Sequence, residues 1–141
     1  MGITEKDRGR HITGGDMLVI PMMVVGTLVE GNGKAYYKAV HAGFTIHQLL
    51  GQLGTLHSTS TGGTGELIQL RNVNDTLDIM DTSNRMSFTD TWAIITAVAT
   101  SLLQNRNVAL NDVLAIDVDD VDTGTGAADL LLHIIAERTV T

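Results

Sequence analysis

The sequence contains no cysteine, a single proline and few aromatic residues, namely two Phe, two Tyr and one Trp. The absence of cysteine excludes disulfide bonds and thiolate metal ligands. The few aromatic rings leave little surface on which bases or sugars could stack. Because no run of about 18 apolar residues occurs, we expect no membrane-spanning helix, and the polar residues 1–16 do not resemble a secretory signal.

Charge is also scarce, and most of it is negative. Charged residues make up 18% of the 141 residues, and the net charge is -7 at pH 7. An average soluble protein has about 25% charged residues. An acidic chain repels phosphate, so we expect no nucleic-acid partner. Hydrophobic residues amount to 43%, which is typical of a folded domain. A low charged fraction with a normal apolar content indicates surface buried between subunits, a surface rich in Thr, Ser, Asn and Gly, or both.

Residue types that could carry chemistry are present, but they do not form a recognised motif. The five histidines lack the paired or HExxH spacing of zinc sites. No Gly-x-Ser-x-Gly nucleophile elbow occurs, and the Gly-rich residues 62–65 lack the lysine of a phosphate loop. The sequence therefore predicts a protein that is not an enzyme and that has no catalytic site, no bound metal and no cofactor.

The densest acidic region covers residues 117–129, which include five aspartates. Counted from Asp117, an EF-hand loop needs Gly at its sixth position and Glu at its twelfth, where this chain has Asp122 and Ala128. We therefore predict solvated carboxylates on the outer side of a strand and on its following loop. A cation bound by this region is the alternative.

From residue 17 onward, short apolar runs alternate with clusters of Gly, Asn, Asp, Ser and Thr, as in strands separated by turns. About eight strand candidates predict an all-β sandwich or jelly roll. Residues 92–103 allow two interpretations, because Ala and Leu permit a helix whereas β-branched residues favour a strand. The first strand candidate, residues 17–30, also allows two interpretations: it either breaks at Pro21 or continues through it. We predict an extended N-terminal arm over residues 1–16 and one β-domain over residues 17–141.

The last strand candidate, residues 129–136, is apolar on both of its faces. Its side chains alternate between two sets: Leu130, Leu132 and Ile134, and Leu131, His133 and Ile135. A strand that is apolar on both faces is usually buried on both faces. Because a small domain has one core, we expect the set Leu131, His133 and Ile135 to lie at an interface with another subunit.

Several of these motifs occur in an order that resembles one group of phage proteins. Residues 42–46 (Ala-Gly-Phe-Thr-Ile) are similar to a Gly-Thr-Ile strand. Residues 110–121 resemble the pattern Ala-Gly-Asp-Val-Leu-Thr-Val-Asp-Val-Asp-Gln-Val, with Asn111 in place of its glycine. Over residues 25–136 the chain resembles the jelly-roll virion proteins that serve as head decoration (cement) proteins, head fibres and tail-tip domains. The resemblance also favours a strand for residues 92–103.

The resemblance implies a jelly-roll β-sandwich of about eight strands and a structural role in the virion. The first implied function is capsid decoration, in which homotrimers on the outer surface of the capsid bridge and stabilise copies of the major capsid protein. Assembly would take place in the host cytoplasm. The second implied function is a tail-tip or fibre head domain for host attachment. A third alternative, a sandwich enzyme, would require His133 to face the interior.

The N-terminal arm has two interpretations. It is either a frayed terminus or a segment that orders on a neighbouring subunit, which in a decoration protein would be the capsid shell. The candidate capsid contacts within it are Arg8, Arg10, His11 and Ile12.

Overall fold

The computed structural model describes residues 16–55, 65–88, 95–121 and 126–139, and it consists of two antiparallel β-sheets. The strands are β1 (Met17–Thr27), β2 (Gly31–Lys38), β3 (Phe44–Thr55), β4 (Glu66–Asn72), β5 (Leu77–Asp78), β6 (Met86–Phe88), β7 (Ile95–Val98), β8 (Asn107–Val108), β9 (Val113–Asp120) and β10 (Ala128–Arg138). Short 3-10 turns lie at Thr82–Asn84 and Thr100–Leu102. Within the described ranges, no helix is long and apolar enough to cross a membrane.

The strand order defines the architecture. The first sheet has the order β1-β10-β3-β7, with β8 also paired to β3. The second sheet has the order β2-β9-β4-β5, with β6 also paired to β4. Apart from the two-residue strands β5 and β8, eight strands remain among the described residues, and the chain crosses between the sheets at β1–β2, β2–β3, β3–β4, β6–β7, β8–β9 and β9–β10. This is the double-sheet arrangement of a jelly roll, so the predicted fold class is confirmed.

The core lies between the two sheets and takes one face of each long strand. In β9 and β10 the inward side chains are at most 1% exposed: Leu114, Ile116, Val118, Leu130, Leu132 and Ile134. The alternation read from the sequence is therefore correct for both strands. Burying each such aliphatic side chain contributes about 1.5–3 kcal/mol.

β1 is an edge strand and continues through its proline. Pro21 is paired with His133 of β10, and β1 runs without a break from Met17 to Thr27. Proline cannot donate to a strand ladder, but an edge strand tolerates it when the missing N–H would face away from the partner strand. The edge position thus explains why the break considered at Pro21 does not occur.

The ambiguous residues 92–103 contain a strand. β7 (Ile95–Val98) pairs antiparallel with β3, and the 3-10 turn Thr100–Leu102 follows it. The strand interpretation, which the resemblance favoured, is therefore correct for Ile95–Val98. Residues 92–94 lie outside the described part of the chain.

Candidate functional site

The side of the first sheet that faces away from the core is predominantly apolar on the two adjacent strands β1 and β10. We call this surface the outer apolar face and define it by nine residues: Met17, Val19, Pro21, Met23 and Val25 of β1, Leu131, His133 and Ile135 of β10, and Leu50 of β3. On β1, Val19 and Val25 are 63% and 78% exposed. The β10 residues are half-buried. Soluble monomers rarely expose large contiguous apolar patches, so such a face indicates an interaction surface.

Strand pairing arranges these side chains in continuous rows. The rows are Val19–Ile135–Gln48, Pro21–His133–Leu50 and Met23–Leu131–Gln52, so that on β3 two glutamines flank Leu50. Directly opposed side chains in antiparallel strands have Cβ atoms about 4.5–5.5 Å apart. His133 therefore lies in the middle of the outer apolar face, between Pro21 on one side and Leu50 on the other.

The carboxylates of this face lie at the two ends of β10, whereas the uncharged Gln48 and Gln52 of β3 lie opposite Ile135 and Leu131. At one end, His47 Nε2 is 3.0 Å from Glu137 Oε2, with both side chains about one-third exposed (35% and 36%). At the other end, Asp129 Oδ1 accepts a hydrogen bond of 2.7 Å from the backbone N–H of Gly26. The 11 residues of β1 carry no charge. The outer apolar face is thus an uncharged centre with polar ends.

The structure places the three predicted interface residues Leu131, His133 and Ile135 side by side on this outward face. That this face is covered by another subunit stays a prediction. His133 lies on the face opposite the core, so it lacks the interior position that the enzyme alternative requires. The sequence analysis did not predict that β1 belongs to the same surface. However, β1 (Met17–Thr27) is apolar on both faces, which is the same pattern that predicted an interface for β10.

The candidate capsid contacts Arg8, Arg10, His11 and Ile12 lie outside the described residues. Where the described chain begins, the carbonyl oxygen of Asp16 accepts a hydrogen bond of 2.7 Å from the backbone N–H of Arg138. The start of β1 and the end of β10 therefore lie together at one end of the sandwich.

A groove of about 810 Å³ opens at this end, and its lining includes Asp16, His41, Gly43, Leu110, Asp112 and Arg138. Asp112 already serves the surrounding loops, because its Oδ2 accepts hydrogen bonds from Asn72 Nδ2 (2.8 Å) and from the backbone N–H of Ala109 (3.0 Å). In the part of the chain that the structure describes, no three His, Asp or Glu side chains are grouped so that they could hold a metal ion.

The outer face of the second sheet is ionic, in contrast to that of the first. Asp117 of β9 is 3% exposed and accepts hydrogen bonds from Arg71 Nε (2.6 Å), Arg71 Nη2 (3.0 Å) and the Gly33 backbone N–H (2.7 Å). The hydrogen bond that Arg71 donates to Asp117 raises the pKa of the Arg71 guanidinium. The prediction of a solvated Asp117 is therefore wrong, because Arg71 covers the carboxylate.

Two further carboxylates of this face remain accessible. Asp119 is exposed, and its Oδ2 accepts a hydrogen bond of 3.1 Å from Arg85 Nη1. Burial, together with the charges of Asp119 and Asp117, raises the pKa of Asp78. The second sheet thus presents charges of both signs to solvent, and Asp119 is partly solvated, since its side chain is 25% exposed and paired with Arg85.

Comparisons with known proteins relate the fold to two phage capsids. No family model and no curated protein matches the sequence. A chain of the cyanophage Pam1 capsid asymmetric unit has a TM-score of 0.54 and 13% identity over 97% of this chain and 99% of that chain. A chain of the capsid of Ralstonia phage GP4 has a TM-score of 0.54 and 10% identity over 91% of this chain and 88% of that chain. Almost the whole chain therefore has the fold of chains found in two phage capsids.

Proposed function

We propose that this protein is a structural component of a phage virion, and specifically a capsid decoration (cement) protein that forms homotrimers. The observation that carries the proposal is the outer apolar face, which is the surface expected of a subunit that functions in an assembly. The fold supports the phage setting, since chains of two phage capsids resemble this chain over nearly all of its length. We infer a structural role that requires no catalysis, metal or cofactor.

A second copy of this chain is the occupant that we propose for the outer apolar face. Each copy has a net charge of -7, so copies repel one another unless their contact is made through uncharged surface. The outer face of the second sheet carries Arg71, Arg85 and Asp119, whereas β1 carries no charge. The uncharged face is therefore the better surface for self-association.

Contact through the face also fits the geometry of β1 better than contact through its open edge. An open strand edge invites pairing with another chain, and natural proteins often block such pairing with proline. Pro21 lies in the middle of β1 and is paired with His133 of the neighbouring strand β10. The absence of a proline N–H at this point interrupts any ladder along the open edge, so we favour packing of side chains over strand addition.

On the capsid, each trimer would bridge neighbouring copies of the major capsid protein on the outer surface of the shell. The N-terminal arm, residues 1–16, would lie on the shell and contact it through Arg8, Arg10, His11 and Ile12. A protein that binds the assembled shell and not its separate subunits stabilises the assembled state. This mechanism requires many copies per particle, after assembly of the trimer in the host cytoplasm.

The number of copies per particle tests this proposal against its alternative. Quantitative mass spectrometry of purified particles should find this protein in an amount of the same order as the major capsid protein. A handful of copies per particle would contradict decoration and would favour the tail-tip or fibre head domain for host attachment. Particles that lack the protein altogether would contradict both virion roles.

A further inference from the structure

His133 is a titratable side chain set among uncharged neighbours. Pro21 of β1 and Leu50 of β3 lie opposite it, and Leu131 and Ile135 flank it along β10. If the outer apolar face is covered by another copy, the imidazole loses its contact with water. Protonation of His133 is then coupled to the association of copies of the chain.

Among the residues that the structure describes, the charged groups that share this face with His133 are few and distant. β1 and β7 contain no ionisable residue. On β10 the nearest are Asp129 and Glu137, each four positions away, and on β3 it is His47, which pairs with Glu137. Four residues of strand correspond to roughly 13 Å, which exceeds the Debye length of about 8 Å at physiological ionic strength. Within the described ranges, no carboxylate of the same copy is therefore placed to compensate a protonated His133.

We propose that His133 makes the association of copies of this protein sensitive to acid. The inference rests on the proposed function, because it requires the outer apolar face to be covered by copies of the chain. Histidine side chains generally change charge between pH 5 and 8. Burying an unpaired charge costs much more free energy than burying a neutral imidazole, so a proton on His133 favours the dissociated state, in which the side chain contacts water.

The linkage between proton binding and association gives the direction and the steepness of the pH dependence of dissociation. Because the dissociated chain binds the proton more readily than the assembled chain, dissociation is favoured as the pH falls. With one imidazole per copy, the dissociation constant of a trimer into three chains rises by up to about a thousandfold per pH unit. Protonation of surface carboxylates acts in the opposite direction, since it reduces the repulsion between acidic copies.

Sedimentation equilibrium of the full chain between pH 8 and pH 5 tests this inference. The wild type is compared with His133→Gln, which keeps polarity without a charge change, and with His133→Leu, which is apolar. His41→Gln is the matched control, because His41 is exposed and lies at the groove. We expect the wild type and His41→Gln to dissociate in acid, and both His133 variants to stay associated at pH 5.

Two different results would overturn the inference, and they are distinguishable from failure of the proposed interface. Equal acid sensitivity in the wild type and both His133 variants would show that other groups cause it. Acid-strengthened association that is lost in the variants would show that a carboxylate of a neighbouring copy meets His133. If the wild type and His133→Leu are both monomeric at pH 8, the interface itself is refuted, and the inference falls with it.

Discussion

At the scale of single residues, the turn before β9 explains a departure from the phage pattern. Asn111 has a φ of 73°, and its backbone N–H donates a hydrogen bond of 2.7 Å to the carbonyl oxygen of Ala39. Left-handed conformations are adopted readily by glycine and, among other residues, mostly by Asn and Asp. Asn111 therefore meets a backbone requirement that glycine would also meet.

Asp117 shows what the sequence could not reveal at this scale. Its position on the outward side of β9 follows from alternation, and alternation alone predicts a solvated carboxylate. Its burial depends on Arg71, which precedes it by 46 residues and comes beside it only because β4 pairs with β9. A contact of that kind depends on strand order, which local sequence does not contain.

The Asp117 cluster gives a prediction about stability. Asp117→Ala should lower the free energy of unfolding by about 2–4 kcal/mol, because it leaves Arg71 and the Gly33 N–H without their buried acceptor. Asp119→Ala is the matched control on the same strand, and its exposed ion pair should contribute less than about 1 kcal/mol. Urea denaturation of both variants measures the difference. Equal losses in the two variants would contradict the burial of Asp117.

At the scale of strands, most of the correct predictions came from the alternation of side chains with a period of two residues. The inward sides of β9 and β10 were predicted correctly because apolar and polar residues, or two apolar sets, alternate along them. The course of β1 through Pro21 could not be predicted, since it depends on β1 being at the edge of its sheet. The conformation of residues 92–103 required the partner strand β3, which is distant in sequence.

The approach of β3 to β6 in the core gives a prediction at this scale. A Cβ atom added at Gly51 would lie 2.2 Å from Met86 Sδ and 3.0 Å from Phe88 Cζ, so the two sheets pack closely at this glycine. We expect Gly51→Ala to lower the free energy of unfolding by about 1–3 kcal/mol through overpacking.

A double-mutant cycle separates this overpacking from other effects of the substitution. Met86→Ala removes the sulfur that the new methyl group would strike, so Gly51→Ala should cost less free energy in the Met86→Ala background than in the wild type. Urea denaturation of the two single variants and the double variant gives the coupling. Strictly additive losses would contradict the contact between Gly51 and Met86.

At the scale of the whole molecule, the sandwich has two dissimilar outer faces. The second sheet presents the ion pairs Arg71–Asp117 and Arg85–Asp119, whereas the first sheet presents the outer apolar face. The low charged fraction of 18% is thus partly explained by one face that carries no charge at its centre. Sequence alone indicated that some surface is buried between subunits, and strand order was needed to show how far that surface extends onto β1.

Self-association through the outer apolar face is tested most directly by sedimentation velocity at pH 8. Val19 is 63% exposed on this face and Tyr36 is 65% exposed on β2 of the second sheet, so Val19→Lys and Tyr36→Lys introduce the same charge at equally open positions on opposite sides. Circular dichroism checks that both variants fold. We predict that the wild type and Tyr36→Lys sediment as trimers and that Val19→Lys sediments as a monomer. A monomeric wild type, or a Val19→Lys variant that remains fully trimeric, would contradict the account.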